Sequence, residues 1–318
     1  MVDCHDLFQD FYNKIILSNS KKEYLERARD ALRLKIENYF INDMIQTPPE
    51  FKEQGSYAMS TIINPIDGEF DIDDGICLKN IEKEKLKWPS TQTVHDWILK
   101  AVEGHTDTKP KDKRTCVRVI YAGQYHVDLP IYGKYINETY LAEKGELSWH
   151  KSDPTAFLNW FEEIISIKGE HLRKIIIYIK AWADFHSRSV SLPSSFILTI
   201  LAIEGYEKSN RDDVSFAGTL RNIYDRIQND INIINPVDNS ENLTKRLSDA
   251  QIDNFKDKLL TLMNNASIAL KEESKIKACK IWRKEFGDRF PNCDLIKEIE
   301  KPLQTSRPAL LKDDHKSA

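Results

Sequence analysis

The chain lacks most of the marks of a secreted, membrane-bound or thiol-stapled protein. Its five cysteines, Cys4, Cys77, Cys116, Cys279 and Cys293, are odd in number, scattered and never spaced Cys-x-x-Cys. Neither a disulfide framework nor a zinc site is signalled, and reduced thiols are expected. No apolar run reaches the length of a membrane span, and the first residues, Met-Val-Asp-Cys-His-Asp, carry no basic segment followed by an apolar one. The expectation is a cytoplasmic protein without a membrane partner. Basic charge is not in excess either: the formal net charge is -4. That argues against a broad electrostatic footprint for duplex nucleic acid, so no nucleic-acid partner is indicated. Glycine and proline are sparse, 11 and 12 in 318 residues, while 41% of residues are hydrophobic and 30% charged. Such a chain is long enough for a two-lobed unit with a sizeable core and much amphipathic helix.

Chemistry concentrates between Gln54 and Leu78, in Gln-Gly-Ser-Tyr-Ala-Met followed by Glu69-Phe-Asp71-Ile-Asp73-Asp74-Gly. On a strand, residues two apart share a face, so Asp71 and Asp73 project together, opposite Phe70 and Ile72. Two carboxylates side by side repel unless a cation sits between them, and oxygen ligands at that density suit a hard divalent ion such as Mg2+. Gly55-Ser56 supplies a backbone that can approach a phosphate closely and a hydroxyl donor. A third acid, Asp128, lies in Tyr125-His-Val-Asp-Leu-Pro, where Val127 and Leu129 alternate with His126 and Asp128. Asp74 falls on the Phe70/Ile72 face of a regular strand; Gly75 could mark a bend that frees it, and it is not taken as a ligand. Glu69, at the strand's start, reads as solvated. His126 invites a general-base role, but nothing at telling spacing supports one, and a solvent-facing or hydrogen-bonded histidine is expected.

In chain order, residues 3–47 read as two helices that join the lobes, the second with Leu25, Ala28, Leu32, Leu34, Ile36 and Phe40 on its stripe. Thr91 to Val102 is a further helix, Lys109 to Arg118 a basic run that reads as a solvated loop, with attraction of nucleotide phosphates or a partner as the alternative, and residues 133–150 an irregular crossing. Ser152-Asp153-Pro154 reads as a helix start, and from there to about residue 290 nearly everything is helical. Trp282 and Phe286 to Phe290 are expected in that core. The domain reading is 1–150 for the spine helices and catalytic core, 151–300 for a helical lobe, and 301–318 for a flexible tail. Lys180 sits in an otherwise apolar helical stripe, where an unpaired ammonium is costly; snorkelling to solvent is the bland alternative. Leu192-Pro193-Ser194-Ser195 places two serines at a helix start, where free backbone N–H groups favour phosphate, although capping alone accounts for Ser194 equally well. Phe196 reads as a core aromatic rather than a base-stacking platform.

Together, Gln-Gly-Ser-Tyr-Ala-Met, Phe-Asp-Ile-Asp-Asp-Gly, Val-Asp-Leu-Pro, Ser152-Asp-Pro154, Lys180-Ala-Trp182 and Trp282-Arg-Lys-Glu-Phe-Gly-Asp-Arg-Phe-Pro291 resemble the cGAS/DncV-like nucleotidyltransferases. The resemblance covers most of the chain. It implies an α+β fold: a polymerase-β-like core, a mixed sheet with helices, and a helical C-terminal lobe, with the active site in the cleft between them. It also implies catalytic and metal-binding roles for Asp71, Asp73 and Asp128, with two Mg2+ ions for which Mn2+ can substitute. Nucleotide contacts would come from Gln54, Gly55, Ser56, Lys180 and Ser195, and the substrates would be NTPs such as ATP or GTP. The implied function is synthesis of a cyclic di- or oligonucleotide, with release of pyrophosphate, in bacterial anti-phage signalling. A downstream effector would bind the product, and a regulatory protein could use the C-terminal residue, Ala318, as a handle. Two alternatives stand beside it: a different nucleotidyltransferase that tails RNA or modifies a protein or small molecule, and a non-catalytic nucleotide sensor.

Overall fold

The computed structural model describes residues 2–79, 81, 84–123, 125–145 and 149–296. The expected tail, with its Ala318 handle, lies outside them. Two N-terminal helices, α1 (His5–Ile15) and α2 (Asn19–Asn38), lead through a π-helical turn into strand β1 (Glu50–Gln54), a one-turn helix α3 (Gly55–Ala58) and strand β2 (Phe70–Cys77). Helix α4 (Thr91–Val102) follows, then β3 (Lys111–Asp112), β4 (Val117–Tyr121), β5 (Tyr125–Leu129), β6 (Ile131–Tyr135), β7 (Glu138–Ala142) and β8 (Trp149–Lys151). The remainder is α5 (Pro154–Lys168), α6 (His171–His186), α7 (Ser195–Gly205), α8 (Asp212–Asn229), a hairpin of β9 (Ile234–Asn235) and β10 (Asp238–Asn242), α9 (Asp249–Lys271) and α10 (Lys275–Phe286). The mixed sheet runs β3-β4-β5-β2-β6-β7-β8, with β1 also paired to β2.

Two cores organise these elements. One packs α2 and α4 on the sheet through Leu25, Leu32, Ile36, Ile72, Ile98 and Val127. The other is helical, and α1 belongs to it: Phe8 and Phe11 are fully buried against Tyr178, Phe216, Trp282, Phe286 and Phe290. Trp282, Phe286 and Phe290 close this core as expected, and Asp153 caps α5 by accepting from the Ala156 N–H at 2.9 Å, with Pro154 in the first turn.

Several expectations are overturned. Residues 133–150 carry strands, not an irregular crossing; Lys134, Glu138 and Lys151 near the ends of β6 to β8 interrupt the apolar alternation that would have revealed them. Arg118 belongs to β4 rather than to a solvated loop. Leu34 lies off the buried stripe of α2, 60% exposed. Cys279 and Cys293 form a disulfide, with Cα atoms 5.7 Å apart, whereas Cys4, Cys77 and Cys116 are free and buried. Strand β2 runs through Gly75 without a bend, and Asp74 stays fully buried because Arg33 of α2 grips both its oxygens at 2.7 and 2.5 Å. A Cβ at 75 would lie 2.6 Å from Gln54 Oε1, so glycine there leaves that side chain its place.

Candidate active site

Strand register assembles the carboxylates. β2 and β5 are parallel, with Asp71 opposite His126 and Asp73 opposite Asp128, so all four side chains leave one face of the sheet. The apolar residues between them, Phe70, Ile72, Val127 and Leu129, are buried on the other side. In the antiparallel pair β4–β5, Arg118 stands directly opposite Asp128 and donates to both its oxygens at 2.7 Å. One ligand atom each from Asp71, His126 and Asp128 lies within 4.8 Å of the others.

The electrostatics follow from burial without a matching number of cations. Burial raises the Asp73 carboxyl well above the usual aspartate range; Asp71 and Asp128 raise it further, against the pull of Arg118 and Lys180. Asp71, half-exposed at the cleft, is also raised by burial, opposed by His126 and reinforced by Asp128. A divalent cation fits this donor set: it would supply the charge the carboxylates lack, and oxygen ligands at this density match a hard ion.

Across the cleft, α3 and the loop after it rest on the helical lobe. Arg173 donates to the Met59 carbonyl at 2.6 Å, and Arg289 to those of Asn64 and Ala181 at 3.1 and 2.7 Å. Lys180 neither snorkels nor stays unpaired: only 5% exposed, its Nζ donates to Thr61 Oγ1 at 2.7 Å and to the Thr61 carbonyl at 3.3 Å. Burial lowers its pKa to about 7, with Asp71 and Asp73 acting to raise it. Ser56, Asp71, Lys180 and Ser195 line one cavity of about 270 Å3. Ser194 caps α7, accepting from the Ile197 N–H, which leaves the exposed Ser195 hydroxyl on the cavity.

Gln54 and Gly55 line a neighbouring cavity of about 220 Å3, together with Tyr132, Phe157, Phe196 and Arg246. Phe196 is half-buried here, against the Phe157 ring at 4.6 Å, rather than sealed in the core. Gly55 is required twice over: its φ is +69°, and a Cβ would lie 2.1 Å from Asp73 Oδ2.

Sequence reasoning misplaced His126. It is 8% exposed, neither solvent-facing nor hydrogen-bonded through Nε2, which has no partner among the described residues and lies 3.8 Å from Asp71 Oδ2. The alternation along β5 already put His126 on the face of Asp128; the missing information was the register with Asp71. Arg118 was missed for the same reason.

Two family models match the chain: the nucleotidyltransferase domain of cyclic GMP-AMP synthase DncV-like proteins over residues 49–132, and the C-terminal domain of cyclic GMP-AMP synthase over residues 169–299. A cyclic GMP-AMP synthase of Escherichia albertii is 24% identical over 322 residues, covering 92% of this chain and 69% of that protein. A c-di-GMP synthase of Roseivirga ehrenbergii is 25% identical over 231 residues, covering 61% of this chain and 60% of that one. Among solved structures, Vibrio cholerae DncV with a linear intermediate superposes with a TM-score of 0.78 at 20% identity, over 94% of this chain and 99% of that one. That likeness shows a shared fold, in keeping with the mixed sheet and helical lobe expected.

Proposed function

The chain belongs to the cGAS/DncV-like nucleotidyltransferases, and from that premise we propose that it joins free NTPs into a cyclic di- or oligonucleotide with loss of pyrophosphate. One observation carries the reading: β2 and β5 pair so that Asp71, Asp73 and Asp128 share a face, beside a cavity lined by Ser56, Lys180 and Ser195. Carboxylates on one wall and phosphate-binding groups on the other are what transfer of a nucleotidyl group to a hydroxyl requires. Relatives whose names specify cyclic GMP-AMP and c-di-GMP synthesis support a cyclic product.

Asp71, Asp73 and Asp128 would hold Mg2+ or Mn2+, which when bound lowers the pKa of an attacking hydroxyl and neutralises departing pyrophosphate. Arg118 holds Asp128 in one orientation and offsets its charge. Lys180 and the Ser56 and Ser195 hydroxyls donate to the triphosphate; Lys180 gains a partner for its buried ammonium, so phosphate binding raises its pKa from about 7. Gly55 lets the Gly-Ser turn reach the chain that carries Asp73. Among the described residues no helix is long and apolar enough to cross a membrane. In this reading the product, rather than this chain, binds the effector, in the anti-phage setting that the resemblance implies. RNA tailing is the weaker reading because the chain is acidic overall.

Pyrophosphate release from single NTPs and from pairs of NTPs, without RNA and with Mg2+ or Mn2+, tests the proposal. Release that depends on both nucleotide and divalent ion is expected. Release that starts only when RNA is added would promote RNA tailing instead.

A further inference from the structure

We propose that His126 is a metal ligand, so that the cation beside Asp128 is held by one imidazole nitrogen together with the Asp71 and Asp128 carboxylates. The inference rests on the nucleotidyl-transfer reading above and names a donor that the acid motif does not contain. Parallel pairing places His126 directly opposite Asp71, on the face that carries Asp73 and Asp128. Its Nε2 is 3.8 Å from Asp71 Oδ2, too far for a hydrogen bond. The same separation lies inside the roughly 4.2 Å that two ligands bonded at about 2.1 Å to one ion can span. Through one of its ring nitrogens, His126 also falls in the one group of at least three histidine, cysteine or acidic residues whose ligand atoms lie within 4.8 Å of one another among the described residues.

The nitrogen has no other use among the described residues. His126 is 8% exposed, and Nε2 is buried without a hydrogen-bond partner among the described residues. A buried polar atom in that state needs an explanation, and an ion between it and Asp71 supplies one. Arg118 does not block the site by gripping Asp128: an ionised carboxylate offers about four lone-pair positions, and the guanidinium takes two. An imidazole donor also changes selectivity. Mg2+ is held through oxygen, whereas a ring nitrogen favours a first-row transition ion, so His126 would bias the site toward Mn2+ over Mg2+.

The test reads the bond itself. Mn2+ is added to the full chain, alone and with inorganic tripolyphosphate, which offers phosphate oxygens and no nitrogen, and electron spin-echo modulation is recorded. The wild-type chain should show modulation from a directly bound imidazole nitrogen. His126→Gln, checked for native circular dichroism, should lose that modulation, bind Mn2+ on the order of tenfold more weakly, and show a smaller preference for Mn2+ over Mg2+ in competition. Bound Mn2+ without nitrogen modulation in the wild type, or modulation unchanged in His126→Gln, overturns the inference and leaves the nucleotidyl-transfer reading standing. Mn2+ binding unaffected by Asp71→Asn and by Asp128→Asn overturns the metal centre, and both readings with it.

Discussion

Asp71 and Asp73 hold their protons to higher pH than the usual aspartate value of 3.8, because burial and neighbouring carboxylates disfavour their charged forms. A raised folded pKa contributes stability that is present below the unfolded value and lost as pH rises through the folded one. Without divalent ions, the stability of Asp71→Asn with Asp73→Asn relative to wild type should therefore rise upward from about pH 4. Urea midpoints measured across pH in the presence of a chelator decide this; a double variant less stable than wild type at pH 7 contradicts the repulsion argument. The same variant should release no pyrophosphate. Lys180 supplies a second residue-level test. Its pKa near 7 in the free protein means that its charge is lost above neutrality. The plot of kcat/KM against pH should fall above about pH 7, and Lys180→Met should have a raised KM and lack that limb. A limb identical in both chains would assign it to another group.

Among the elements, β2 carries the site on one face and its own support on the other. Asp74 is fully buried, and the only hydrogen bonds to its carboxylate among the described residues come from Arg33. Breaking a buried pair from one side costs about 3–5 kcal/mol, whereas replacing both partners with apolar groups costs far less. Arg33→Met alone should lower the urea midpoint strongly, and Arg33→Met with Asp74→Leu should recover most of the loss; equal losses in both would mean that the pair does not govern β2. The odd-numbered face of this strand was legible because a period of two needs no partner to be read. On the even-numbered face Phe70 and Ile72 were equally legible and the burial of Asp74 was not, since only the packing of α2 explains an aspartate beside them. Short strands failed for a related reason. β6 to β8 carry charged residues near their ends, Gly133 interrupts their pattern because a Cβ there would lie 2.6 Å from Trp88, and the Asn-Pro-Val-Asp run of the β9–β10 hairpin reads as loop. The Cys279–Cys293 disulfide depends on α10 meeting the segment after Phe290, which spacing alone does not reveal.

At the scale of the whole molecule, the cleft is made by contacts that no single motif encodes. Segment 55–68 leaves the sheet, and Met59 joins the helical core; Thr61 receives Lys180, and the Ile66 N–H donates to Asp184 at 3.1 Å. Thr61→Val should thus weaken nucleotide binding without touching a carboxylate, by freeing Lys180 from its anchor; a rise in KM with kcat little changed is expected, and an unchanged KM would mean that the anchor is dispensable. The central claim is that this cleft turns free NTPs into a ring. The most direct measurement supplies the purified chain with all four NTPs and Mg2+ or Mn2+, without RNA, treats the products with phosphatase, and weighs what survives. The account predicts a surviving species with the mass of a cyclic di- or oligonucleotide, absent from Asp71→Asn with Asp73→Asn. Products that are wholly phosphatase-sensitive, or a ring still made by the double variant, would contradict it.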